Sequence, residues 1–260
     1  MSIPEKLRSI SRAIRRKSCS AVILAAGSGS RFAEGSDSSE AALPKQFVPI
    51  CNTPMIVYSI KAFDLCEAVS EIVIVTRKED IARTKKIIGE LSLTKPIKVV
   101  AGGSTRQRSA LIGFNAASED HPYVAIHDAA RPLITAEAAY KVIRAAFVSK
   151  AAIAASPAVD TPKIVSSSRI IKEKAPEREK LWLAQTPQVF ERTLYRVAAY
   201  YAKEEDFEAT DDASLLEFAG FTVKAVDTEI PNFKVTRPDD IILASAIIES
   251  RNKAEVEKSV

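Results

Sequence analysis

Small residues and isolated cations cluster at the ends of β-prone runs, in the pattern of a site built for phosphate. Ala25-Ala26-Gly27-Ser28-Gly29-Ser30-Arg31 follows the first such run. Residues this small let the backbone approach a ligand closely and turn its N–H groups toward phosphate oxygens. The chain has eight glycines and places two of them here, with Gly102 and Gly103 after the third run. The loop lacks the Lys-Ser/Thr ending of a nucleoside triphosphatase phosphate loop, and Phe32 stands where a dinucleotide fingerprint has its third glycine. Arg31 and, after an intervening loop, Pro44-Lys45-Gln46 bring two cations to the same rim. Attack on an α-phosphorus builds negative charge, which fixed cations stabilise without covalent chemistry.

At the end of the fourth run, His127-Asp128-Ala129-Ala130-Arg131-Pro132 adds an acid and a base. Ser109, His127 and Asp128 do not make a hydrolytic triad, because neighbouring strand residues point to opposite faces. His127 is read as structural, and Asp128 as lying near the nucleotide or its magnesium.

Elements able to hold these residues alternate along the chain. Ala21 to Ala25, Glu71 to Thr76, Ile97 to Val100, Tyr123 to His127 and Ala152 to Ser156 read as strands. Pro54 to Cys66, Lys78 to Leu91, Thr105 to Ser118 and Thr135 to Lys150 carry helical periodicity. That alternation predicts an α/β fold: a Rossmann-like, mostly parallel twisted sheet with helices on both faces and its ligand beyond the C-terminal strand ends. Thr161 to Glu179 is polar, strand-prone at Lys163 to Val165 and at Arg169 to Lys172, and reads as a projecting hairpin arm over about residues 158–180. The chain then returns with a strand at Leu181 to Gln185, helices at Arg192 to Lys203 and Asp211 to Ala219, a strand at Phe221 to Val226 and a closing helix at Asp239 to Arg251. Ala33 to Leu43 reads as a flexible loop.

The 260 residues fit a basic N-terminal extension, 1–18, followed by a single domain, 19–260. The extension holds six basic residues against Glu5, more than the whole net charge of +4, so the body is close to neutral. That argues against a nucleic-acid substrate. Leu7, Ile10 and Ile14 would give the extension an apolar stripe as a short basic amphipathic helix; the plainer reading is a frayed terminus. No apolar run approaches the ~20 residues that cross a bilayer. Cys19, Cys51 and Cys66 have no metal-ligand spacing and fit a reducing, cytoplasmic setting.

Eight ordered segments carry a specific resemblance. They are Ala25-Ala26-Gly27-x-Gly29-x-Arg31-Phe32, Pro44-Lys45-Gln46-Phe47, Gly102-Gly103-x-x-Arg106-x-x-Ser109, His127-Asp128-Ala129-Ala130-Arg131-Pro132, Asp160-Thr161-x-Lys163, Gln185-Thr186-Pro187-Gln188, Thr210-Asp211-Asp212-Ala213-Ser214 and Asn232-x-Lys234-Val235-Thr236. Together, over residues 20–250, the chain resembles the 2-C-methyl-D-erythritol 4-phosphate cytidylyltransferases of the non-mevalonate isoprenoid pathway. The resemblance implies transfer of CMP from CTP to the methylerythritol phosphate, with magnesium on the triphosphate, in a homodimer with an exchanged arm. It implies that Ala25, Ala26, Gly27, Gly29 and Arg31 wrap the triphosphate, and that Gly103, Ser104 and Ser109 hold the cytosine and ribose side. Arg31 and Lys45 would stabilise the transition state. Asp128, Ala129 and Arg131 would bind ribose and acceptor hydroxyls. Thr161, Arg178, Thr186, Thr210 and Lys234 would gather the acceptor, with Arg178 and Lys234 on its phosphate.

A cytidylyltransferase for ribitol or another pentitol 5-phosphate is the nearest alternative, but that group tends toward Ala-Gly-Gly and His-Asp-Ala-Val-Arg where this chain has Ala25-Ala26-Gly27 and Ala130. A nicotinamide-dependent dehydrogenase needs the missing third glycine. A nucleotide-binding scaffold without activity would not be expected to keep all of Arg31, Lys45, Arg178 and Lys234.

Overall fold

The structure, a computed structural model, describes residues 17–27, 32 and 43–258. Strand β1 (Cys19–Ala25) is buried along its whole length. Its side chains alternate as a pleated strand requires: Ala21, Ile23 and Ala25 enter one core layer, Val22 and Leu24 the other. A two-residue hairpin follows, β2 (Pro49–Ile50) against β3 (Thr53–Pro54). Its turn residues Cys51 and Asn52 both take positive φ, 47° and 62°, the left-handed backbone such short hairpins need.

Helix α1 (Met55–Leu65) leads to β4 (Val69–Thr76), α2 (Ile81–Gly89), β5 (Ile97–Ala101), α3 (Arg106–Ala116), β6 (Tyr123–Asp128), α4 (Ala136–Ser149) and β7 (Ala151–Pro157). The arm carries β8 (Ile164–Val165) and β9 (Ile171–Glu173), which pair antiparallel. Then come β10 (Trp182–Glu191), α5 (Arg192–Glu204), α6 (Asp212–Phe218), β11 (Lys224–Asp227) and α7 (Asp239–Lys258).

Seven strands form one sheet in the order β11-β7-β10-β6-β1-β4-β5. Every neighbouring pair is parallel except those made by β10, which runs against both β6 and β7. The chain leaves β1 toward β4 on one side and later returns to its other side as β6. That reversal opens a crevice at the C-terminal ends of β1 and β6, where open α/β sheets bind ligands.

Helices cover both faces, as the alternation predicts. On one, α1 and α4 pack Ile56, Ile60, Phe63, Val142 and Ile143 on the sheet. On the other, α3, α5 and α6 contribute Ala110, Phe114, Tyr195, Ala198 and Leu216. Gly113 lets α3 lie close on the sheet: a Cβ there would fall 2.3 Å from Val22 Cγ1 and 2.7 Å from Val75 Cγ2. A third cluster joins Ile50, Met55, Leu133, Val235 and Ile248, so α7 closes over the β2–β3 hairpin.

Several boundaries differ from the sequence reading. Lys78–Asp80 is a separate turn of 3-10 helix before α2. β11 starts at Lys224 rather than Phe221, and α7 runs to Lys258 rather than Arg251. The largest difference is β10, expected to end at Gln185. It continues through a cis Thr186-Pro187 bond to Glu191. A proline normally ends a strand pattern because it cannot donate to the ladder. Here the pairing with β7 skips from Ala184 to Gln188 and resumes. In the arm, Arg169 belongs to the turn, at φ 62°, not to a strand.

Candidate active site

Three strand ends meet at the crevice around a cavity of about 490 Å³. From the end of β1, Ala25, Ala26 and Gly27 line it. Gly29 and Arg31 lie outside the described residues, as do residues 33–42 of the loop and 1–16 of the basic extension. Past the end of β5, Gly102 donates its N–H to Thr76 O at 2.7 Å. A Cβ on Gly102 would meet Ala26 Cβ at 2.6 Å and Ser109 Oγ at 2.9 Å. The two loops touch only because that position is glycine. Ser109 Oγ accepts from Gly103 N–H at 3.1 Å, so its hydroxyl braces the loop as well as lining the cavity. Thr105 caps α3 by accepting from Arg108 N–H at 3.1 Å, a Thr N-cap satisfying an otherwise unpaired donor.

Lys45, Gly103, Ser104, Asp128, Ala129 and Lys234 also line the cavity. Lys45 sits in the short 3-10 turn after Pro44 and donates to Val235 O at 2.8 Å. Val235 in turn donates its N–H to Ala130 O at 2.8 Å. The loop bearing Lys45, the segment bearing Lys234 and the turn after β6 are thereby tied together.

The charge centre is Asp128. Its Oδ2 accepts from Lys234 Nζ at 2.7 Å. Its Oδ1 faces Arg106 Nε and Nη2, each at 3.2 Å. Burial alone would raise its pKa, but Arg106, Lys234 and Arg131 hold the carboxyl well below the usual range, so it is ionised. Arg106 also donates from Nη1 to Asp212 Oδ2 at 2.7 Å, and Asp212 Oδ1 accepts from Tyr195 OH at 2.9 Å. Both oxygens of this buried carboxylate accept, one from a guanidinium, which is the arrangement a buried charge requires.

His127 faces away from Asp128, with its ring edge-on to Phe63 at 5.2 Å between centroids. Burial pushes its pKa down to about 4, against the pull of Asp128. The imidazole is therefore neutral near pH 7, and its partners fix the tautomer. Arg131 O, 3.2 Å from Nε2, only accepts, so Nε2 carries the proton. Nδ1 then accepts the hydroxyl hydrogen of Thr186, 2.9 Å away. Thr186 Oγ1 is left to accept from Asp128 N–H at 3.1 Å.

Other expected site residues lie off the cavity wall. Thr186 is buried behind Asp128 with its hydroxyl spent on His127 and Asp128. Arg131 reaches across the rim to Asn232 O at 2.8 Å. Thr210 is exposed next to the N-terminus of α6, with Ser214 Oγ 3.4 Å from its hydroxyl. Thr161 and Arg178 line a separate groove on the arm. Arg178 is half exposed, donates to Val159 O at 3.3 Å and pairs with Glu179 at 3.6 Å.

Conversely, Arg106, Thr105, Gln46 and Thr236 line the cavity without having been singled out as binding residues. Arg106 was visible three residues after Gly103, at the start of a helix. Asp212 stood within one of the quoted segments without a role, and nothing local marked Tyr195; the two become its support only through the tertiary fold.

A family model described as 2-C-methyl-D-erythritol 4-phosphate cytidylyltransferase matches residues 19–250. Relatives carrying that same name include one from Caldanaerobacter subterraneus subsp. tengcongensis, 40% identical over 88% of this chain and 98% of its own length. Another, from Microcystis aeruginosa, is 37% identical over 88% of this chain and 98% of the relative. Among solved structures, the 4-diphosphocytidyl-2C-methyl-D-erythritol synthase of Anaerococcus prevotii is similar with a TM-score of 0.76 and 30% identity, covering 90% of this chain and 99% of that one. The 2-C-methyl-D-erythritol 4-phosphate cytidylyltransferase of Thermus thermophilus gives 0.69 and 30%, over 88% and 98%.

Proposed function

The chain belongs to the 2-C-methyl-D-erythritol 4-phosphate cytidylyltransferase family, and from that premise we propose how its residues carry CMP from CTP to 2-C-methyl-D-erythritol 4-phosphate. An oxygen of the acceptor phosphate attacks the α-phosphorus of CTP. The bond from that phosphorus to the bridging oxygen of the β-phosphate breaks, and pyrophosphate leaves with the electron pair. The product is 4-diphosphocytidyl-2-C-methyl-D-erythritol. A phosphate monoester is already ionised near neutral pH, so the attack needs no general base, only positioning and charge. The neutral, fully engaged His127 fits that requirement. The observation that carries the reading is one cavity at the sheet's reversal point that gathers Ala25 to Gly27, Gly103 to Arg106, Ser109, Asp128 and Lys234, all within the family match.

In this reading Ala25, Ala26, Gly27 and Gly29 cradle the triphosphate, and Gly103, Ser104 and Ser109 hold the cytosine and ribose side. Arg31 and Lys45 offset the charge that develops at the α-phosphorus. Asp128 and Ala129 take the ribose, Arg131 the acceptor hydroxyls, and Lys234 the acceptor phosphate. Thr186 acts from behind by holding Asp128, and Thr210 belongs to the acceptor side.

A divalent magnesium ion would fit beside Asp128 once Lys234, which holds Oδ2 in the structure, turns to the acceptor phosphate. Asp128 is the one carboxylate on the cavity wall among the described residues, and magnesium is commonly held by one or two carboxylates together with substrate phosphates and water. Bound there, the ion would neutralise the triphosphate and sharpen the α-phosphorus as an electrophile.

Arg178 and Thr161 enter the same scheme through a second copy of the chain. Ile164, Val165, Ile170 and Ile171 on the arm and Trp182 and Leu183 at its base are exposed apolar residues, a concentration that marks an interaction surface. A homodimer that buries this arm would bring Arg178 of one protomer to the acceptor side of the other's cavity. Among the described residues no helix is long and apolar enough to cross a membrane, and the three cysteines are unpaired. Both features suit a cytoplasmic enzyme.

The test is pyrophosphate release with magnesium and CTP, supplying methylerythritol 4-phosphate or ribitol 5-phosphate, with ATP, GTP and UTP as controls. Release with CTP and methylerythritol phosphate alone is expected. Release only with ribitol phosphate would keep the chemistry and move the substrate.

A further inference from the structure

Asp212 does not reach the cavity, yet both of its carboxylate oxygens are engaged inside the fold. It is 1% exposed. Its Oδ1 accepts from Tyr195 OH at 2.9 Å, and the Tyr195 ring lies between Phe114 and Phe190 with centroids 4.9 and 5.6 Å away. Its backbone is fixed too. Asp211 caps α6 by accepting from Ser214 N–H at 2.9 Å. Gln188 of β10 donates to Asp211 at 2.7 Å and accepts from Ala213 N–H at 2.9 Å.

We propose that Asp212 is a positioning residue for the transfer: acting through Arg106, it fixes which oxygen of Asp128 faces the cavity. This rests on the reading of the cavity as a cytidylyltransfer site. A guanidinium is a rigid planar fork, so anchoring one nitrogen sets the direction of the others. Asp212 holds Nη1 at 2.7 Å, and this aims Nε and Nη2 together at Asp128 Oδ1. That oxygen is thereby occupied. Oδ2 remains for Lys234, 2.7 Å away at the cavity wall. Without Asp212 the guanidinium is free to turn across both oxygens of Asp128, displacing Lys234 and changing the charge presented to the substrates. A misplacement on the scale of one ångström costs a bound reaction up to about 100-fold.

The competing explanation is that the Asp212 and Arg106 pair only fastens α6 to the sheet. The two accounts part in a double-mutant cycle with Asp128 read in acceptor kcat/KM, because independent sites add and residues of one network do not. Asp212→Asn should lower kcat/KM for the acceptor by about 10- to 100-fold, and should lower it little further when Asp128→Asn is already present. Losses that multiply in the double variant, or an unchanged kcat/KM in Asp212→Asn, would overturn the proposal. Should Asp212→Asn fail to fold, Arg106→Lys runs the same cycle, since lysine keeps the charge but cannot fork two carboxylates. Multiplying losses or none at all would be equally fatal there. A wild-type chain that releases no pyrophosphate would instead sink the functional reading. The cycle is then read in CTP binding by calorimetry, where non-additivity is again expected and additivity overturns the positioning role.

Discussion

The cavity and the arm present opposite chemistry. Around the cavity, charged groups are partnered within the chain: Asp128 by Arg106 and Lys234, Arg106 by Asp212, and Lys45 by Val235 O. On the arm, Thr161 and Arg178 stand at the surface beside apolar side chains that a solitary chain leaves in water. One region is partnered within its own fold. The other has the composition of something finished by contact, which is why Thr161 and Arg178 are proposed to serve a second copy.

The contrast can be broken most forcefully at Lys45. Removing a charge that acts mainly in the transition state should cut turnover by about 100- to 1,000-fold while the unfolding midpoint barely moves. Steady-state kinetics beside a thermal melt checks this, and near-normal turnover would mean the wrong cation has been placed at the α-phosphorus.

Acid should strike the cavity's support next. The pKa of His127 is about 4 in the fold and about 6.5 in an unfolded chain, so the unfolded state binds more protons between those values. The His127 contribution is complete above pH 6.5 and is lost as pH falls toward 4, a drop of up to about 3 kcal/mol. The depressed Asp128 carboxyl extends the loss below pH 4. Denaturant titrations from pH 7 to 4 should show this slope, and it should flatten in His127→Gln.

Arg178→Ala sharpens the comparison from the arm side, with an expected loss of about 10- to 100-fold in acceptor kcat/KM and CTP affinity preserved. Mixed with Lys45→Ala and allowed to exchange subunits, it should recover about a quarter of wild-type activity, because half the dimers then hold one intact site. No recovery would confine each site to a single chain. The smallest effect belongs to Ile171→Asp. The stability of the isolated chain should change by less than about 0.5 kcal/mol, while sedimentation shifts toward monomer.

Much of this was legible in the sequence wherever a local signal existed. Alternating strand and helix periods marked the sheet, and Gly27 and Gly103 fall on the cavity at its rim. Where the outcome depended on partners distant in the chain, the sequence was silent. Nothing near Pro187 announces that a strand continues past it, since that depends on β6 and β7 flanking it. Cys51 and Asn52 lack the glycine that usually signals a two-residue hairpin. Asp212 looks like an ordinary helix-start acid until Arg106, 106 residues earlier, is folded against it.

The base of the arm carries the chain's sole tryptophan, Trp182, 43% exposed at the start of β10. An indole moved from water into an apolar contact shifts its emission to shorter wavelength, so the molecule comes with its own optical reporter. In the proposed dimer, dilution of unlabelled protein should redden its fluorescence as arms separate.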